Sequence, residues 1–198
     1  MAEVNGLGSS MKRKEDARFI QGKGNYIDDL KLPGMLYLDI VRSPYAHARI
    51  KSIHSEAALK VPGVLAVITG KDLEKYNLHW MPTLMSDRQM VLPVDTVKYQ
   101  AQEVAGVIAT VRYAAADGVA AVEVDYEPRP EVVDPHKALA PGATKVRADK
   151  ESNKAWHWEV GDRAATDSVI KGAATVVRDR IYIPRIPVAS IETGGCGA

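Results

Sequence analysis

Only one of the 198 residues is a cysteine and only one a phenylalanine. The lone thiol, Cys196, excludes an intrachain disulfide framework and any cysteine-cage zinc or iron–sulfur site, so a reducing cytoplasm is the expected compartment. A single Phe gives no stacking platform for nucleic acid, and the eight Tyr are scattered along the chain. An excess of charge of one sign is missing too: 26 basic against 25 acidic residues leave a formal +1. That balance argues against an obligate nucleic-acid or anionic-membrane partner. No apolar run approaches a membrane span. Met1 to Ser10 lacks the apolar core of a secretory signal, and there is no internal repeat. What remains is ordinary globular composition, 46% apolar and 26% charged, with length for one or two domains and a sizeable core.

Residues 1–12 are small and polar and predict a mobile arm. Arg13 to Leu30 is a polar stretch hinged at Gly22 and Gly24, with Asp28 and Asp29 able to accept backbone N–H bonds at a turn. Pro33-Gly34 then opens an alternating segment. Leu36, Leu38 and Ile40 point one way and Tyr37, Asp39 and Val41 the other. A second run sets Ala46, Ala48 and Ile50 against His47, Arg49 and Lys51. Period two predicts a strand pair broken at Ser43-Pro44.

Ser55 to Lys60 reads as a short helix with Ser55 as its cap. Val64 to Thr69 reads as a buried strand, and Thr69 or Gly70 starts another short helix to Lys75. Tyr76 to Leu92 has no period and predicts a long irregular connection, the kind that is usually functional or docking. Val97 to Gln100 is a possible short strand, and Glu103 to Thr110 a second buried one. Arg112 to Val122 is a helix with Tyr113, Ala116, Val119 and Ala120 on one face. Val122 to Tyr126 returns as a strand, which Pro128 and Pro130 confine to an edge. Strand, helix and strand over 103–126 fit a crossover unit or a split arrangement equally. The mixture favours an α+β fold.

Beyond Val132-Val133-Asp134-Pro135 the chain reads as a linker. A short helix follows over Asp162 to Gly172, with Thr166 as its cap candidate. Ala174 to Ile183 is rich in β-branched residues and predicts a strand. An apolar strand running into Gly194-Gly195 with nothing beyond it to pair with makes Ala198 look like an interruption.

Candidate chemistry is thin. Gly22-Lys23-Gly24 lacks the strand-to-helix context of a phosphate loop and runs into an acidic turn, so a structural turn is preferred. Glu15-Asp16 and Asp28-Asp29 suit capping or solvated roles better than cation binding, which wants six or more oxygens. The histidines His47, His54, His79, His136 and His157 form no i, i+4 pair, and a metal triad from them is disfavoured. His47 and Arg49 instead suggest a polar strand face for packing another domain. Cys196 has no histidine near it in sequence, which disfavours a nucleophile. Trp80, Met81, Met85 and Met90 read as core filling or an interface. Trp156 and Trp158 read as one packed strand face.

Several blocks occur in an order that carries a resemblance. Arg13-Lys14-Glu15-Asp16, Arg18-Phe19, Gly22-Lys23-Gly24, Tyr26 and Asp28-Asp29 come first. Leu32 to Leu36 and then Arg42-Ser43-Pro44-Tyr45-Ala46-His47-Ala48-Arg49-Ile50 follow. Together they resemble the opening of the molybdenum-binding large subunit of the xanthine oxidase family, and most of all its carbon monoxide dehydrogenase branch. The resemblance implies a hammerhead domain over 13–135, a linker over 136–160, and a helix and strand over 161–198 entering a molybdopterin-binding domain. It implies a molybdenum-pterin cofactor (molybdopterin cytosine dinucleotide) in the full subunit. FAD and 2Fe-2S clusters would lie on a medium and a small partner chain, in a dimer of heterotrimers.

The implied reaction is CO plus water to CO2, and this stretch alone is expected to be inactive. The family's pterin-binding and catalytic residues lie further on. No catalytic, cofactor-binding or metal-binding residue therefore carries over. The terminal block Pro187 to Cys196 keeps Glu192-Thr193 and the second Cys of the family pattern but has Gly194 in place of the first. It also has Ile186 before Pro187, where the pattern has His. An aldehyde or purine hydroxylase of the same family, or a non-catalytic docking module, are the alternatives.

Overall fold

The computed structural model describes residues 10, 12–80, 89–184, 186–190, 192 and 195–196. Most of the expected arm over 1–12, together with Met81 and Met85, lies outside them. The chain divides into two units, one from Met35 to Ala173 and one formed by both ends, up to Gly34 and from Ala174 onward.

The larger unit holds strands β1 (Tyr37–Arg42), β2 (Ala48–His54), β3 (Val64–Thr69), β4 (His79–Trp80), β5 (Gln89–Met90), β6 (Thr96–Val97), β7 (Glu103–Ala109) and β8 (Glu123–Pro128). They make two three-stranded antiparallel sheets, β1-β7-β3 and β6-β2-β8, and a β4-β5 ribbon. Helix α1 (Asp16–Phe19) belongs to the smaller unit, and α2 (Gly70–Glu74), α3 (Arg112–Ala121) and α4 (Arg163–Gly172) to the larger. The fold is α+β, as expected.

The strands named by periodicity exist, but their partners differ from expectation. β1 and β2 do not pair with each other; β1 bonds to β7, while β2 bonds to β6 and β8. No crossover spans 103–126 either, since β7 and β8 lie in different sheets. β3 is a half-buried edge strand rather than a buried one. β8 is an edge, as its prolines require. The stretch from Tyr76 to Leu92 contains the β4-β5 ribbon, with His79 opposite Met90. Ser55 caps no helix: only the 3-10 turn Ala58–Lys60 forms there, headed by Ala57.

The core lies between α3 and the β1-β7-β3 sheet. Val41, Ala105 and Val107 are buried there with Ala58 and Val122. The buried stripe of α3 is Ala114, Ala115 and Gly118, while Tyr113 is 83% exposed, which corrects the expected face. The reason is close approach. A Cβ on Gly118 would lie 2.7 Å from Val107 Cγ1 and 2.8 Å from Val64 Cγ2, so the helix's smallest residue must face the sheet.

The other face of this sheet is apolar but open. Paired residues share a face, which places Leu38 with Ile108 and Ala66, and Ile40 with Gly106 and Ile68. Leu38 is 62% exposed although a Cβ on Gly106 would come within 2.9 Å of its Cδ1. The face that carries Leu36, Leu38 and Ile40 is therefore the uncovered one. A second cluster, Ala48, Ile50, Val97 and Val104, closes the β6-β2-β8 sheet.

After β8 the stretch from 136 to 155 is pinned by Asn153. Its amide donates to Ala138 O (3.0 Å) and Thr144 O (2.7 Å), and its oxygen accepts from Val146 N–H (2.9 Å). Trp156 and Trp158 lie on no strand and are both exposed. The cap of α4 is Asp162, which accepts from Ala165 N–H at 2.9 Å; Thr166 lies inside the first turn and donates back to Asp162 O.

In the smaller unit α1 ends in a glycine stop. Gly22 has φ +68°, its N–H donates to Phe19 O (3.1 Å), and Lys23 N–H donates to Arg18 O (2.9 Å). This is the paired bonding that satisfies the last carbonyls of a helix. The rings of Phe19 and Tyr26 stack at 6.2 Å, and a Cβ on Gly24 would lie 2.9 Å from Phe19, so Gly24 permits the approach. The strand expected over Ala174 to Ile183 is not present: no described residue from 174 to 184 is in a ladder. Among the described residues no strand pairs with it, and Val177, Ile181 and Tyr182 are more than 80% exposed.

Candidate functional site

The most ordered polar constellation is the lock at the β1–β2 turn, within Arg42-Ser43-Pro44-Tyr45-Ala46-His47. Ser43, His47 and Gln102 are the buried polar residues of the described chain. Ser43 N–H donates to Gln102 O (2.9 Å), and Ala101 N–H donates to Ser43 O (2.8 Å). The Ser43 hydroxyl donates to Tyr45 O and accepts from Tyr45 N–H. Gln102 Oε1 takes the Lys98 N–H at 2.7 Å. Ala101, with φ +63°, pays in strain for the tight turn that makes these bonds possible.

His47 lies just ahead of β2, buried, with Nδ1 2.7 Å from Pro130 O, and its carbonyl accepts from Arg129 N–H. It does not share an open polar face with Arg49, as its place in the alternation suggested. Burial of a ring that can bond the backbone after β8 decides this. The Tyr126 hydroxyl lies beside Ser43 without closing a hydrogen bond, and burial pushes its pKa up. Tyr45 packs edge-on against Tyr126 at 5.3 Å.

A polar chain continues along β7. Arg42 Nη1 donates to Ala101 O (2.9 Å) and Glu103 Oε1 (2.6 Å). Tyr99 OH donates to Glu103 Oε2 (3.2 Å), and Gln89 Nε2 donates to Tyr99 OH (2.8 Å). Partial burial alone would raise the Glu103 carboxyl. Its own backbone and Arg42 outweigh that and hold it below the usual range. Burial, with Glu103 alongside, raises Tyr99.

Beyond this chain lies a cleft of about 470 Å³, lined among others by Glu74, Asp95, Asp149, Lys98, Arg147 and Gln102. Arg147 grips Asp149 with two bonds (3.0 and 2.6 Å), and that hydrogen bonding lowers the Asp149 carboxyl to about 2. The described lining offers near-balanced charge and no nucleophile beside a base, so it suits a polar segment rather than bond-breaking chemistry.

The remaining candidates take structural places. Gly22-Lys23-Gly24 is the helix stop. Asp16 receives Arg13 N–H and its guanidinium, and Asp29 receives Tyr26 N–H at 2.9 Å. His54 Nε2 lies 2.9 Å from Ser52 Oγ and 3.4 Å from Asp125 Oδ2, while Ser52 donates to Asp125 at 2.9 Å. The residue types are those of a hydrolytic triad, but one ring nitrogen meets both partners. The carboxylate rather than the imidazole takes the serine proton, so the serine is not activated. Hydrogen bonds from Ser52 and then His54 hold Asp125 below its usual range.

His136 donates its backbone N–H to Asp134, and His157 lies 3.4 Å from Glu159. Cys196 is exposed. Among the described residues no three His, Cys, Asp or Glu side chains converge as metal ligands. Among the described residues this donor set does not fit a molybdenum-pterin. No described helix is long and apolar enough to cross a membrane. Gln102 and Asn153 escaped the sequence reading because a single polar residue beside a strand or in a loop leaves no periodic trace.

Comparison with known proteins follows the same outline. The model of the a/b hammerhead domain of aldehyde oxidase and xanthine dehydrogenase matches residues 21–130. The carbon monoxide dehydrogenase large chain of Hydrogenophaga pseudoflava is 51% identical over 197 residues, covering 93% of this chain and 24% of its own. That of Afipia carboxidovorans is 48% identical, covering 99% of this chain and 26% of its own. A solved Cu,Mo-CO dehydrogenase in its carbon monoxide reduced state superposes with a TM-score of 0.74 at 49% identity, over 87% of this chain and 23% of that one. The chain spans about a quarter of the length of these relatives.

Proposed function

Because the chain belongs to the aldehyde oxidase and xanthine dehydrogenase family through its a/b hammerhead domain, we propose that it serves as the N-terminal part of a carbon monoxide dehydrogenase large subunit. The parent reaction is the oxidation of CO with water to CO2. Its molybdenum-pterin, of the cytosine dinucleotide type, is held by polypeptide outside these residues. Electrons pass to 2Fe-2S clusters and FAD on a small and a medium partner chain, in a cytoplasmic dimer of heterotrimers. We read residues 13–135 as the hammerhead domain, 136–160 as the linker and 161–198 as the lead into the cofactor-binding domain. In this reading no residue of the chain is catalytic, binds cofactor or ligates metal.

The observation that carries the proposal is identity near one half, sustained over nearly the whole chain, to the large chains of two carbon monoxide dehydrogenases. The open apolar sheet face around Leu38 and Ile108 supports a supporting role, since a two-faced apolar sheet is stable when both faces are covered. The same face is what a non-catalytic docking module would need, and an aldehyde or purine hydroxylase would differ only in the absent pocket.

Co-expression with the complementary three quarters of the Hydrogenophaga pseudoflava large chain separates these readings. The expected result is a stoichiometric complex with molybdenum and CO-dependent dye reduction, and neither from the 198-residue chain alone. Stoichiometric molybdenum and dye reduction in the isolated chain would overturn it. So would an assembled complex oxidising an aldehyde or purine but not CO.

A further inference from the structure

The two stretches that stand out in the sequence, the opening block and the terminal block, meet in the smaller unit through Glu192. Glu192 Oε1 accepts the backbone N–H of Ile27 at 2.8 Å, across 165 residues of sequence. That N–H is the first of the 3-10 turn Ile27–Asp29, a position whose amide has no partner within the turn. Of the two carboxylates in the turn, Asp29 takes the Tyr26 N–H, and the acceptor of the Ile27 amide is Glu192. A second contact lies on the same residue: a Cβ on Gly195 would stand 2.9 Å from Ile27 Cγ2 and 3.4 Å from Cδ1. The backbone of Ile27 is thus held by Glu192, and its side chain fills the space that a side chain at position 195 would need. The turn it belongs to is fixed in turn by the glycine stop after α1 and the Phe19–Tyr26 stack.

We infer that Glu192 and Gly195 are positioning residues of a clasp in which the Ile27 turn seats both of them. The opening block is then tied to the other end of the chain within the smaller unit. Glycine at 195 is required because any side chain there meets Ile27. A carboxylate or amide at 192 is required because only an acceptor completes the turn. The contact stands independently of the proposed function; that it aims the chain into a cofactor-binding domain rests on that reading.

Amide hydrogen exchange on the full 198-residue chain, followed by NMR, tests the clasp. Glu192→Ala is expected to speed exchange at Ile27 about tenfold, the loss of one charge-assisted bond. Exchange along β7 should stay unchanged. Glu192→Gln keeps an oxygen acceptor and is expected to restore most of the protection, and Gly195→Val to remove it by displacing the Ile27 side chain.

Unchanged exchange at Ile27 in Glu192→Ala would overturn the inference. A Gln variant as fast as the Ala variant would do the same, and so would loss of β7 protection in step with Ile27. A failure of the complementation experiment leaves these rates where they are. A failed clasp leaves the wild-type chain's assembly and metal content untouched, so the two proposals fall separately.

Discussion

β7, Glu-Val-Ala-Gly-Val-Ile-Ala, and residues 175–183, Thr-Val-Val-Arg-Asp-Arg-Ile-Tyr-Ile, have similar claims to be strands. Both are rich in β-branched residues and free of proline. β7 is hydrogen-bonded on both sides, to β1 and β3, and its Val104, Ala105, Val107 and Ala109 are buried. Residues 175–183 bond to no strand, and Val177 is 86% exposed. The difference teaches that strand propensity measures fit to a pleated, half-covered surface and creates nothing without that surface. In the larger unit α3 and two neighbouring strands supply it. In the smaller unit no described residue does.

The contrast can be broken most forcefully at its buried side. Gly118→Val should abolish the closure of α3 on the sheet, because even a Cβ there collides with Val107 and Val64. An overpacked core of this kind loses about 3 kcal/mol, the upper end of the usual range, visible as a collapse of the urea midpoint. The next test pits the two segments against each other directly. Val107→Ala should cost about 2 kcal/mol, the value of a fully buried valine side chain. Val177→Ala should fall within about 0.5 kcal/mol of wild type. Comparable losses for the two would show that 175–183 is covered after all.

A smaller effect sharpens how β7 is entered. Gln102→Ala strips the Lys98 N–H of its acceptor and should cost about 1–2 kcal/mol by thermal unfolding, without loss of the β7 amides' relative order of exchange. The smallest effect is electrostatic. The Arg147 hydrogen bonds hold Asp149 at about 2, below the unfolded aspartate value of roughly 3.9. Its contribution is full above about pH 4 and is lost as pH falls toward 2. The Asp149 side chain is 59% exposed, so solvent screening limits the contribution to under about 1 kcal/mol. Asp149→Asn should flatten the acid limb of a stability–pH curve by no more than that. A larger change would mean the pair is shielded within the cleft.

The strands of the larger unit were legible because alternation is a local signal. Tyr37–Arg42 and Ala48–His54 follow it, while Glu103–Ala109 shows instead as a short apolar run, buried on both faces. Their pairing was not legible, because the turn at Ser43 could send the chain back along β1 or across to a second sheet. The decision rests with Gln102 and Ala101, some sixty residues on. The face of α3 was misread for a related reason. Hydrophobicity scales favour Tyr113 and Ala116, whereas the sheet selects Gly118 for its lack of a side chain. At the candidate site, His47 was legible as a residue of note but not as a buried one, since its partner is a backbone carbonyl that carries no sequence signature.

Composition, the order of the opening blocks and the placement of turn residues determined the α+β class and the family, since these depend on each residue and its near neighbours. Which strands share a sheet, which face of β1 is covered, and the meeting of Ile27 with Glu192 were decided by the tertiary structure alone. Each of them is a contact between residues far apart in the chain, set by the fit of surfaces that no short window of sequence contains.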